Sequence, residues 1–166
     1  DKYLISRDFI KENGVLTIKA IALISHFHQK EFENNTCSIQ TFILAHPDDI
    51  GILLATFAKQ DEKRISFIVK HEGSNHVTPI IRETTDKEER FLVLDSLVNK
   101  ISFRDEIRHA IIKHYEGARI YEDTPIRYAG ILNCGVDALN LIKNASDIKN
   151  LFNYIQGKKK PGLLRR

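Results

Sequence analysis

The chain has 166 residues, of which 42% are hydrophobic and 28% charged, with a formal net charge of +3. This length fits one domain with a core of its own. The small charge gives no ground for nucleic-acid binding, and no run approaches the roughly 20 apolar residues needed to span a bilayer. No charged-then-apolar leader opens the chain. Two cysteines, Cys37 and Cys134, do not make a disulfide framework, so reduced thiols in an intracellular setting are expected. The absence of Met leads us to expect a portion of a longer translation product.

In chain order, Val15 to Phe32 carries Leu16, Ala20, Leu23, Ile24 and Phe27 at helical intervals. Glu33 to Thr36 breaks that helix, and Ser38 to Ala45 reads as a strand. His46-Pro47-Asp48-Asp49 is a turn and helix start, with Pro and acids where a helix N-terminus favours them. Ile50 to Lys59 follows as a short helix. Three strands come next. Arg64 to Lys70 alternates Ile65, Phe67 and Val69, while Val77 to Arg82 and Arg90 to Leu94 are rich in β-branched and apolar residues. The polar stretches Gly73 to Asn75 and Thr84 to Glu89 separate them, which predicts a meander. Phe103 to Tyr115 reads as a helix, Ala118 to Glu122 as a short strand, Asn133 to Lys143 as an amphipathic helix and Ile148 to Gln156 as a closing helix. Residues 1–157 are expected to form one domain. Residues 158–166 form a basic tail, either solvated or a docking point for an anionic partner.

Cys134 falls at the start of a predicted helix, in Ile131-Leu132-Asn133-Cys134-Gly135-Val136. Free backbone N–H groups there favour a thiolate nucleophile and can bind an oxyanion, with Asn133 and Gly135 as the candidate contributors. A cysteine at an apolar helix start is often simply a buried core residue. His76 begins one strand of the meander and Asp95 follows the next. Antiparallel pairing would bring them to one end of the sheet. A carboxylate beside an imidazole fixes its tautomer, and the imidazole can then take the thiol proton. His26 and His28 do not share a helix face, and His109 and His114 are poorly spaced for joint ligation, so no metal site is expected. No Gly-rich phosphate loop is present.

Asn75-His76, then Leu94-Asp95-Ser96-Leu97, then Asn133-Cys134-Gly135-Val136 resembles the clan CE cysteine proteases that cleave ubiquitin and SUMO conjugates, together with the related YopJ-type acetyltransferases. The resemblance spans about residues 38–145. It implies an α+β fold of the papain-like, ubiquitin-like-protease type: a central, mostly antiparallel sheet flanked by helices, with the nucleophile at a helix N-terminus. It also implies a Cys134, His76, Asp95 triad. Three positions depart from the family pattern. Val77 stands where the proteases have Trp, no Gln lies between Asp95 and Cys134, and Asp137 is acidic where the family is apolar.

Three functions follow from the resemblance. The first is a cysteine protease or isopeptidase acting on ubiquitin or a ubiquitin-like modifier, without a cofactor, as a bacterial effector delivered to host cytosol. The second is a YopJ-like acetyltransferase that uses acetyl-CoA to modify Ser, Thr or Lys of host proteins. The third, supported by the missing Gln and by Asp137, is an inactive binding module on the same fold.

Overall fold

The computed structural model describes residues 16–32, 40–57, 64–71, 73–84, 89–94, 101–123, 134–146 and 151–152. Along them run α1 (Ile18–Phe32), β1 (Gln40–Leu44), α2 (Asp49–Phe57), β2 (Arg64–Lys70), β3 (Val77–Thr84), β4 (Glu89–Leu94), α3 (Ile101–His114), β5 (Arg119–Asp123) and α4 (Cys134–Ser146). Of the expected closing helix, Leu151 and Phe152 are described; both are helical and buried. Cys37 and the basic tail lie outside the described residues. No described helix is long and apolar enough to cross a membrane.

Local chemistry sets the helix starts. α1 begins at Ile18 rather than Val15 because Thr17 caps it: the Ala20 N–H donates to the Thr17 hydroxyl at 3.1 Å. Before α2, the Asp48 N–H donates to His46 Nδ1 at 3.1 Å, and the Asp49 and Ile50 N–H groups donate to the carbonyls of His46 and Pro47.

The five strands lie in the order β1-β2-β3-β4-β5. The expected meander is present, with β2, β3 and β4 joined antiparallel. The two edge pairings, β1 with β2 and β4 with β5, are parallel, so the sheet is mixed. Parallel neighbours need a crossover, and α2 and α3 provide the two. Both crossovers step the same way across the sheet. The right-handed rule therefore places both helices on one face, where they pack together. α1 and α4 occupy the opposite face, α4 lying on β3 and on α1.

Alternation along the central strands feeds both faces. Ile65, Phe67, Val69, Ile80, Phe91 and Val93 join α2 and α3 in one core, with Ile50, Leu54, Ile107 and Ile111. Ile68, Val77, Ile81, Leu92 and Leu94 join α1 and α4 in the other, with Ile21, Ala138, Leu139 and Phe152. Burial on both sides explains why these strands read as nearly continuous apolar runs. Arg64 fixes one end of α4: it pairs with Glu83 across β2 and β3 at 2.9 Å and donates to the Ala145 carbonyl at 3.4 Å.

Candidate active site

The end of the sheet that carries His76 is built by the β2–β3 hairpin. The β2–β3 register runs from Arg64 opposite Glu83 to Lys70 opposite Val77. It continues one step further, since the His71 N–H donates to the His76 carbonyl at 3.1 Å. The turn between them uses Gly73 at φ 66°, a left-handed conformation that suits glycine. Ser74 tightens it, its hydroxyl accepting from the His76 N–H at 3.0 Å. His71 and His76 thus face each other as a cross-strand pair at the head of the hairpin.

Both imidazoles are fully buried. They form a three-ring pile with Phe103 of α3. The centroid separations are 5.4 Å between the histidines, 4.2 Å from His71 to Phe103 and 5.1 Å from His76 to Phe103, with interplanar angles of 12° to 25°. Thr78, two residues along β3, points its hydroxyl at both rings. It lies 2.9 Å from His71 Nε2 and 3.4 Å from His76 Nε2. The other ring nitrogen of His71, Nδ1, lies 3.4 Å from Glu106 Oε2 on α3.

Cys134 is the first residue of α4, as the sequence suggested. It is 2% exposed, and its thiol donates to the Asn75 carbonyl at 3.4 Å. That carbonyl belongs to the residue directly before His76, so the thiol meets the backbone of the histidine strand at its start. Cys134 shares a core cluster with Val77, which follows His76, and with Leu94, which ends β4. α4 thus lies on β3 from the α1 side, whereas the His76 ring stacks with Phe103 of α3 on the other face, so the thiol meets the histidine strand through its backbone. Asp95 and Asn133 lie outside the described residues, one after Leu94 and one before Cys134.

Gly135 is buried in the first turn of α4, where backbone N–H groups have no intrahelical acceptor. Its missing side chain makes room for α1: a Cβ there would lie 3.0 Å from Ile21 Cδ1 and 3.6 Å from Leu16 Cβ. Gly135→Val should therefore cost about 1–3 kcal/mol through overpacking. Urea denaturation checks this, and an unchanged midpoint would show that the glycine is not needed for packing. Asp137 also sits in the first turn of α4, where the helix dipole welcomes an acid.

Sequence reasoning did not single out His71, Thr78 or Glu106. One signal was available: His71 and His76 flank the Gly73-Ser74 turn at matching distances. Glu106 also lines a cavity of about 540 Å³ between the turn before α2 and α3, together with His46, His109, Lys113 and His114.

No family model matches the sequence, and no curated protein matches it. Solved structures do. XopD of Xanthomonas campestris, bound to ubiquitin, aligns with a TM-score of 0.66 at 12% identity, over 91% of this chain and 88% of that one. A de-sumoylating protease aligns at 0.61 and 12% identity, over 93% and 72%. AvrA, in a structure with IP6 and CoA, aligns at 0.61 and 11% identity, over 89% of this chain; the chain spans 56% of AvrA. The α+β arrangement described above is thus a fold shared with XopD, the de-sumoylating protease and AvrA.

Proposed function

We propose that the protein is a cysteine-nucleophile hydrolase acting on ubiquitin or a ubiquitin-like modifier, and that it works as a bacterial effector inside a host cell. The observation that carries this reading is the seating of the Cys134 thiol, at the head of α4, on the backbone immediately before His76. The fold it shares with a de-sumoylating protease and with ubiquitin-bound XopD supports the choice of substrate class.

In this reading His76 takes the Cys134 proton, and the thiolate attacks the carbonyl carbon of the scissile bond. Asp95 orients His76 and stabilises the imidazolium. The N–H groups at Asn133 and Gly135 receive the oxyanion. His76 then protonates the leaving amine as the C–N bond breaks, leaving a thioester on Cys134. A water that gives its proton to His76 attacks that thioester and releases the acid and the free thiol.

A second reading follows from the likeness to AvrA, whose structure holds CoA. An acyltransferase uses the same first half-reaction, with acetyl-CoA as donor, and passes the acyl group to a Ser, Thr or Lys side chain. The two separate cleanly by experiment. Ubiquitin bearing a C-terminal electrophile should form a covalent adduct with the protein and none with Cys134→Ala. Acetyl transfer from acetyl-CoA to Cys134, with no ubiquitin adduct, would replace the hydrolase by the acyltransferase. Silence in both assays from a folded chain would leave a binding module.

A further inference from the structure

The hydrogen-bonded chain behind His76 has a direction, and that direction selects which of its nitrogens carries the proton. Glu106, half exposed on α3, is a carboxylate and only accepts. His71 Nδ1, 3.4 Å away, must therefore carry the hydrogen. In a neutral His71 that leaves Nε2 as an acceptor. The neighbour of Nε2 is the Thr78 hydroxyl at 2.9 Å, so Thr78 donates its one hydrogen there. The Thr78 oxygen then has only lone pairs to offer His76 Nε2, at 3.4 Å, and His76 Nε2 must be the N–H. The opposite order would require His71 to hold two protons.

We propose that Glu106, His71 and Thr78 are positioning residues that hold His76 as its Nε2–H tautomer and so make Nδ1 the nitrogen that accepts the thiol proton. The proposal rests on the reading of His76 as the base for Cys134. It adds a second support for that base, placed on α3 and β2 and reaching the surface at the Glu106 cavity. The orienting role given to Asp95 falls on the same Nε2–H. As the imidazolium forms, the Thr78 oxygen and the more distant Glu106 carboxylate lie on the side of its positive charge. Stacking between His71 and Phe103 keeps the relay ring nearly parallel to the base, the two imidazoles being 12° from parallel.

The relay makes an unusual demand: two adjacent, stacked imidazoles in opposite tautomers, His71 as Nδ1–H and His76 as Nε2–H. Long-range proton–nitrogen correlation spectra of the histidine-labelled protein read both directly, without turnover. Thr78→Val keeps the branched shape and removes the hydroxyl. It should lower the Nε2–H to Nδ1–H population ratio of His76 roughly fivefold, the scale of one hydrogen bond. Thr78→Ser should restore the ratio, which loss of packing alone would not allow. Alkylation of Cys134 should slow in Thr78→Val and recover in Thr78→Ser. Matching tautomers in the wild type, or a His76 ratio that ignores Thr78→Val, would overturn the relay. A protein inert toward the ubiquitin probe still answers the question of tautomer. One that forms the adduct but shows matching tautomers loses the relay and keeps its nucleophile.

Discussion

Replacing His76 by alanine should slow adduct formation at Cys134 by about 10²–10⁴-fold at neutral pH, the range that a positioned general base contributes. The thiol itself stays in place, because its acceptor is the Asn75 carbonyl and not the imidazole ring. Intact Cys134 geometry with lost reactivity is the signature of a missing base. Alanine also empties one position of the three-ring pile, so His76→Gln serves as the partner variant, filling most of that space with a side chain that cannot act as a base near neutrality. Both should lose reactivity while retaining cooperative unfolding. A His76→Gln protein that forms the adduct at the wild-type rate would remove His76 from the mechanism.

The second large effect is on stability and lies at the far end of the same strand. Arg82 is 3% exposed and makes a bidentate pair with Glu89, Nε to Oε2 at 2.8 Å and an Nη2 to Oε1 bond of 2.9 Å. Its guanidinium also lies 5.6 Å from the centre of the Tyr115 ring. Tyr115 follows α3, and its hydroxyl donates to the Leu54 carbonyl in α2 at 3.4 Å. Arg82 therefore ties the sheet to both helices of that face. Arg82→Ala should cost about 3–5 kcal/mol, because a buried charge pair is broken from one side. The lower end is expected, since Glu89 keeps the Thr84 hydroxyl as a donor and is partly open to water. Arg82→Met combined with Glu89→Leu should cost less than Arg82→Ala alone, because no carboxylate is then left behind. Urea denaturation of the set checks both statements. A loss below about 1 kcal/mol in Arg82→Ala would show that the pair contributes only what surface pairs do.

What could be read from the sequence follows from which forces are local. β2 lies where alternation placed it, at Arg64–Lys70, because a strand buried on both faces has few ways to begin or end. The meander was likewise apparent, since short polar turns permit only antiparallel neighbours. The parallel edges were not apparent. Strand direction there depends on the handedness of crossovers through α2 and α3, which no window of residues encodes. The start of α1 was misplaced by apolar periodicity that ran through its own cap, Thr17. At the site, Cys134 and His76 stood out as candidates by position, order and resemblance. Their shared backbone contact through Asn75 needed the fold. His71 and Thr78 were passed over because each looks unremarkable in its own segment. Their role appears only when the hairpin closes and α3 brings Phe103 and Glu106 over it.

The separation between the two halves of the site has a kinetic consequence. His71, Thr78 and His76 lie within one hairpin, whose ends need little loop closure to meet, whereas Cys134 reaches Asn75 across 59 residues. During refolding the imidazole pair can form early, while the sulfur remains an ordinary thiol until the last long-range helix docks. Onset of reactivity toward an electrophile should then lag behind strand formation, so the thiol would act as the protein's own reporter of completed folding.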